Sequence, residues 1–316
     1  MLFVKPSLLK ERGIIGMNRR NVDYIARYNS RKLYPIVDNK LITKEYAKKH
    51  NIAVPELIRS IQYQFEIKQL EKILSGIDKF VVKPAQGAGG KGILVITDRK
   101  GDTFYKPSGM EVSFNDIKRH ISNILSGLHS LGGKTDVAMF EKLVNFDPVF
   151  EPYSYEGVPD VRMIVFQGYP VMAMLRCSTH ESDGKANLHQ GAVGVGIDLK
   201  TGRSLFAVQD GRMIEKHPDT GSAFSELQVP HWEAILPLSA ACYEMTGMGY
   251  LGCDIVIDKN LGALILEVNA RPGLAIQIAN DKGLLKRLKM VEEHAPKSTS
   301  PEERVEYSLE HFSADR

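Results

Sequence analysis

Leu264-Ile265-Leu266-Glu267-Val268-Asn269-Ala270-Arg271-Pro272-Gly273-Leu274 is an apolar run that ends in charge. Read as a strand, it puts Glu267 and Asn269 on one side, two residues apart, and Pro272-Gly273 stops it. Just upstream, Gly252-Cys253-Asp254-Ile255-Val256-Ile257-Asp258 alternates so that Asp254, Val256 and Asp258 share a face. The connection Asp258-Lys259-Asn260-Leu261-Gly262 is too short for a crossover, so the two runs should pair antiparallel. Acids inside such runs are costly unless paired. Asp254, Glu267 and Asn269 together offer the hard oxygens that Mg²⁺ takes, with Mn²⁺ as the alternative ion, leaving other positions for water and phosphates. Arg271 at the strand end could bind the same phosphates or stabilise a charged transition state. The competing reading is a structural Glu267–Arg271 ion pair, with Asn269 making the turn.

Further β-rich runs lie at residues 80–83, 93–97, 138–143, 161–166 and 171–175, besides 253–257 and 263–268. Short turns such as Gln167-Gly168-Tyr169-Pro170 predict mainly antiparallel sheets with helices on one face, an α+β plan. Three helices are expected: residues 43–50 capped by Thr43; one capped by Asn115, with Ile117, Ile121, Leu125 and Leu128 at helical spacing before Gly132-Gly133; and 231–246 ending at Gly247. Between two strands lies Lys83-Pro84-Ala85-Gln86-Gly87-Ala88-Gly89-Gly90-Lys91-Gly92. It fails the Walker pattern, because position 85 is Ala and Lys91 is followed by Gly92, and no helix N-terminus follows. A hairpin tip of this kind can lay the backbone of Gly87, Gly89 and Gly90 over a triphosphate while Lys83 reaches a phosphate. A glycine-rich hairpin without a ligand is the plainer alternative.

The 316 residues are 43% hydrophobic and 25% charged, which excludes a disordered or fibrous chain and suits about two domains. A net charge of +3 lacks the basic excess of a dedicated nucleic-acid binder. Cys177, Cys242 and Cys253 form no CxxC pair and are odd in number, which argues against a disulfide framework or structural zinc and suits a reducing cytoplasm. No run approaches the ~18 apolar residues of a membrane span, and Lys5 and Pro6 interrupt the start before a signal sequence could form. Residues 1–50 hold twelve Lys/Arg against four Asp/Glu, whereas residues 291–316 hold three against seven. A solvated basic arm and a solvated acidic tail outside the core are expected. Arg19, Arg20, Arg27, Arg31 and Lys32, interleaved with Tyr24, Tyr28 and Tyr34, could instead receive an anion.

The order Lys83, glycine loop, Phe140-Glu141-Lys142-Leu143, Asp160-Val161-Arg162, Arg176, Asn187-Leu188-His189-Gln190-Gly191, Asp254 and Glu267-Val268-Asn269 resembles the ATP-grasp carboxylate–amine ligases, most of all RimK-like α-L-glutamate ligases, over residues 38–290. The resemblance implies an ATP-grasp fold: two α+β subdomains with mainly antiparallel sheets enclosing a nucleotide cleft, after a truncated N-terminal domain. The expected division is a basic segment 1–37, a glycine-loop subdomain 38–145, a metal-site subdomain 146–290 and an acidic tail 291–316. It also implies a reaction in which ATP phosphorylates a carboxylate and an amine attacks the acyl phosphate. Lys40 and Lys83 would bind ATP phosphates, the backbone of Glu141, Lys142 and Leu143 would face adenine, and Asp160 would contact ATP, unless it pairs with Arg162 across its strand. Arg176 would steady the acyl phosphate. Arg162, Lys185 and Asn187 would stand near substrate or phosphate, while His189 organises its loop. Lys185 occupies a position where Arg is usual, and Arg271 one that is usually small; Arg and Lys differ at a bidentate anion site. The insertion 147–156 would line the acceptor site or cover a sheet edge.

ATP and an amino-acid or peptide substrate are thus the expected partners, with no nucleic acid, and self-association is left open. A resemblance to ATP-grasp proteins found beside sugar-transfer genes keeps a substrate other than glutamate in view. The alternatives are an ATP-dependent phosphotransferase and a nucleotide-binding protein without catalysis.

Overall fold

Two units divide the chain, one made of Asp38–Lys44 and Val54–Asn145, the other of the residues up to Val37, Glu45–Ala53 and everything from Phe146. The structure is a computed structural model describing residues 5–87, 89–130, 133–297 and 299–313. Readings that rest on the first four residues, Ala88, Gly132 or Ser298 lie outside the described residues.

The first unit holds β1 (Leu57–Ile61), β2 (Phe80–Pro84), β3 (Leu94–Ile96), β4 (Asp98–Lys100), β5 (Thr103–Tyr105), β6 (Glu111–Ser113) and β7 (Ala138–Lys142). They form a four-stranded sheet ordered β1-β7-β2-β3 and a three-stranded sheet β4-β5-β6, antiparallel throughout. Strand alternation sorts the faces. Phe80, Val82 and Phe140 point into a core with Phe104 and with Ile117, Ile121 and Ile124 of the helix Phe114–Leu125; each such side chain contributes about 1.5–3 kcal/mol by leaving water. Lys83 and Glu141 sit on the other face. The helix Phe114–Leu125 is capped by Ser113, with Asp116 completing a capping box, not by Asn115. It ends before Leu128, which is exposed. Likewise Asn39 Oδ1, not Thr43, accepts the Leu41 N–H at the start of the helix Lys40–Lys49.

The second unit holds β8 (Asp160–Phe166), β9 (Tyr169–Cys177), β10 (Val193–Ile197), β11 (Ser204–Gln209), β12 (Arg212–Ile214), β13 (Tyr250–Asp258) and β14 (Gly262–Asn269) in one antiparallel sheet ordered β12-β11-β10-β9-β8-β13-β14. The expected helix over 231–246 is two, Trp232–Ala240 and Cys242–Thr246, closed by Gly247 at φ +67°. β10 was not foreseen because Gly194 and Gly196 dilute its apolar pattern. The glycines are there for room: a Cβ on Gly196 would lie 2.2 Å from the Ala279 carbonyl oxygen. Insertion residues Phe150 and Tyr153 are buried, and Phe146 bridges Asp258 beyond the start of β8.

Both charged ends depart from expectation. Arg20 is buried and donates to the Pro272 carbonyl, while Asn29 bonds the backbone of Tyr250 and Ala270, so this stretch packs on the sheet and is no solvated arm. The tail forms the helix Pro301–Phe312, begun by a Ser300/Glu303 capping box, and buries Arg304, Val305 and Phe312.

Candidate functional site

In the first unit the glycine loop joins β2 to β3, which pair from Phe80↔Ile96 to Val82↔Leu94. The loop is pinned at several points. Gly87 bridges Ser130, Asp136 accepts the Gln86 N–H, Lys40 Nζ donates to the Gly87 carbonyl at 2.8 Å, and a ring nitrogen of His120 bonds the Gly92 carbonyl. Gly92 is at φ +75°, and a Cβ there would meet the His129 ring at 2.5 Å. Gly92→Ala should therefore cost about 1–3 kcal/mol, read as a lower urea midpoint.

Below the loop, Lys83 Nζ lies 2.7 Å from Glu141 Oε2, and Lys44 Nζ lies 2.9 Å from Oε1. Lys44 carried no motif and was not anticipated. Lys142 is exposed and its N–H is taken by the Glu56 carbonyl, so at this residue the main-chain donor expected to face adenine is already engaged. Burial works to raise the Glu141 pKa, but the charges of Lys83 and Lys44 outweigh it and hold the carboxyl below the usual glutamate range. A carboxyl depressed on folding stabilises the fold above its unfolded pKa, and that contribution is lost as pH falls through the folded value. Between about pH 5 and about pH 3 the wild type should thus lose more stability than Glu141→Gln, measured as urea midpoints of the two proteins.

In the second unit, adjacent strands bring six polar residues to one sheet face. The pairings Asp160↔Arg176, Arg162↔Asp254, Asp254↔Glu267 and Gly252↔Asn269 set this arrangement. Between Asp254 and Ile255 the β13–β14 register shifts by one residue, leaving Leu266 as the extra one and placing Glu267 opposite Asp254. Arg162 grips Asp254 with Nε and Nη2, at 2.6 and 2.5 Å; Arg176 grips Asp160 through the same two nitrogens and also donates to Asp254 Oδ2 at 2.8 Å. Asn269 Nδ2 adds a bond of 3.3 Å to the same oxygen. Asp160 therefore pairs with Arg176 and not with Arg162. Burial favours the neutral form of both acids. At Asp254 the two guanidinium groups prevail and the pKa falls, whereas at Asp160 burial and the neighbouring Asp254 charge prevail over Arg176 and the pKa rises.

Asp254, Glu267 and Asn269 have the chemistry of a Mg²⁺ donor set, and the strands bring them together. Asp254 already accepts four hydrogen bonds, the capacity of a carboxylate, so it can join a metal only by releasing a guanidinium or amide donor. Among the described residues no group of three or more His, Cys, Asp or Glu side chains is placed to hold a metal, so an ion on Asp254 and Glu267 would complete its coordination with Asn269, water or phosphate oxygens. Arg271 stacks over Tyr34, with its guanidinium carbon 4.5 Å from the ring centre. Asn187 caps its own turn by accepting the His189 N–H, and exposed Lys185 pairs with Asp183 at 2.9 Å. The three cysteines are free and buried.

Antiparallel sheets carrying helices, with a glycine hairpin on one and an Asp254/Glu267/Asn269 cluster on the other, fall in the ATP-grasp class. More narrowly, the chain belongs to the sugar-transfer associated ATP-grasp family, whose model matches residues 19–293. Among solved structures it is similar to the D-cycloserine synthetase DcsG, at 12% identity and TM-score 0.49 over 84% of this chain and 72% of that one. It is also similar to D-alanyl-alanine synthetase A from Vibrio cholerae O1 biovar eltor str. N16961, at 12% identity and TM-score 0.48 over 89% of this chain and 66% of that one. A third is the ATP-grasp ligase PsnB complexed with a minimal precursor, at 13% identity and TM-score 0.47 over 83% and 60%. The chain spans less than two thirds of the PsnB chains it matches. No curated protein matches it. Among the described residues no helix is long and apolar enough to cross a membrane.

Proposed function

We propose that the protein is an ATP-dependent ligase that joins a carboxylate to an amine, with release of ADP and phosphate. The observation that carries this reading is the meeting of Asp254, Glu267 and Asn269 on one sheet face in a chain of the ATP-grasp family. The carboxylate oxygen attacks the γ-phosphorus of ATP and ADP leaves; the amine then attacks the acyl carbon, loses a proton, and expels phosphate. Lys83, held by Glu141, binds phosphate oxygens, and the glycine loop supplies backbone N–H groups. Asp254, Glu267 and Asn269 would hold Mg²⁺, or Mn²⁺ in its place, and the bound ion neutralises phosphate charge. Arg176, once released from Asp254, can donate to the acyl phosphate. Arg271, steadied by Tyr34, offers a guanidinium to an anionic group of a substrate.

Glutamate or another amino acid as one partner is suggested by the likeness to RimK-like ligases, and a sugar acid or amino sugar by the family's link to sugar transfer. The work is done in the cytoplasm, where ATP is abundant. A screen for ADP release with amino acids, peptides, sugar acids and amino sugars, followed by product mass, tests the reading. A product weighing the sum of two substrates less one water is expected. A stable phosphorylated product with no amide would instead establish a phosphotransferase.

A further inference from the structure

The buried Lys44–Glu141–Lys83 cluster deepens that reading and rests on it. Lys83 and Glu141 stand on the face of β2 and β7 that the apolar core does not use, and the helix Lys40–Lys49 delivers Lys44 to the same carboxylate. Side-chain exposures are 12% for Lys44, 6% for Lys83 and 3% for Glu141. A lone Lys83–Glu141 pair would be neutral and complete. The second lysine leaves the cluster with one more positive than negative charge, shut away from water, and burial pulls the Lys44 pKa down in consequence. Structural economy does not explain that surplus, because removing Lys44 would leave a balanced pair.

A resident anion does explain it. We propose that Lys44 is a positioning residue for nucleotide phosphate: it offsets the charge of Glu141, so that the carboxylate can fix the Lys83 ammonium in place without cancelling its attraction for the phosphates. Lys44 acts through Glu141 and is itself held at the Pro55 carbonyl. Lys40, whose ammonium bonds the Gly87 carbonyl, serves the glycine loop.

The test is titration of ATP into the full-length wild type and its variants, with thermal melting alongside. Lys83→Met should weaken ATP by at least about tenfold, and Lys44→Met by about tenfold. Adding Glu141→Gln to Lys44→Met restores the wild-type charge and should restore affinity to within about threefold. If Lys44→Met does not fold, Glu141→Gln against the double variant reads the same charge step, and the double should bind about tenfold more weakly. Equal affinity in that pair would overturn the proposal. So would wild-type affinity in Lys44→Met, or a double variant as weak as Lys44→Met, provided Lys83→Met has lost ATP. If Lys83→Met binds ATP like the wild type, the nucleotide assignment at this lysine fails first and takes the role of Lys44 with it.

Discussion

Glu267→Ala should lower ATP-dependent ADP release by about a thousandfold while the protein stays folded. Glu267 is only half-buried near the end of β14, so removing its carboxylate leaves no core cavity. It does remove one of the two acids in the proposed oxygen set, and Asp254, already a member of that set and tied to two arginines, does not replace it. A coupled assay for ADP, with far-ultraviolet circular dichroism as the control for folding, measures the effect. Unchanged turnover would remove Glu267 from the metal site.

Asp254→Ala should behave differently and unfold more easily, by about 3–5 kcal/mol in urea denaturation. Asp254 is 4% exposed, takes both the Nε and Nη2 hydrogen bonds of Arg162, and shares Arg176 with Asp160. Its loss strands the Arg162 guanidinium and removes a bond from Arg176 in a nearly dry setting, whose cost exceeds that of an exposed ion pair several-fold. A loss below about 1 kcal/mol, the range of exposed pairs, would mean that the arginines are solvated without it. Side by side on paired strands, Glu267 should affect chemistry and Asp254 both chemistry and stability.

Much of this site was legible because its residues lie close together along the chain. The hairpin of β13 and β14 follows from a five-residue connection and two alternating runs, and with it the nearness of Asp254, Glu267 and Asn269. The arginines were not legible in the same way. Arg162 and Arg176 are 92 and 78 residues from Asp254, and their pairing depends on the order β9-β8-β13, which no local pattern encodes. Alternation along β8 correctly put Asp160 and Arg162 on one face, but only the cross-strand register decides which guanidinium each acid meets.

Other misses left a readable trace. Ser113-Phe114-Asn115-Asp116 and Ser300-Pro301-Glu302-Glu303 both carry the spacing of a capping box, and the second adds proline in the first turn, so the helix starts were in the sequence. Charge counting hid the second, since an acidic tail reads as solvated until its apolar positions are placed on a helix. Lys44 had no such trace. One lysine among the four at positions 40, 44, 48 and 49 acquires a role only because the helix turns it toward Glu141 on a distant strand.

In the proposed reaction ATP activates a substrate carboxylate before the amine arrives. Isotope transfer tests it directly: the carboxylate identified by the ADP screen is supplied with ¹⁸O in both oxygens, and the released phosphate is analysed by mass. Ligation through an acyl phosphate predicts phosphate carrying one ¹⁸O for each product formed, because the bridging oxygen leaves with phosphorus. Unlabelled phosphate, formed alongside the same product, would show that no acyl phosphate lies on the path.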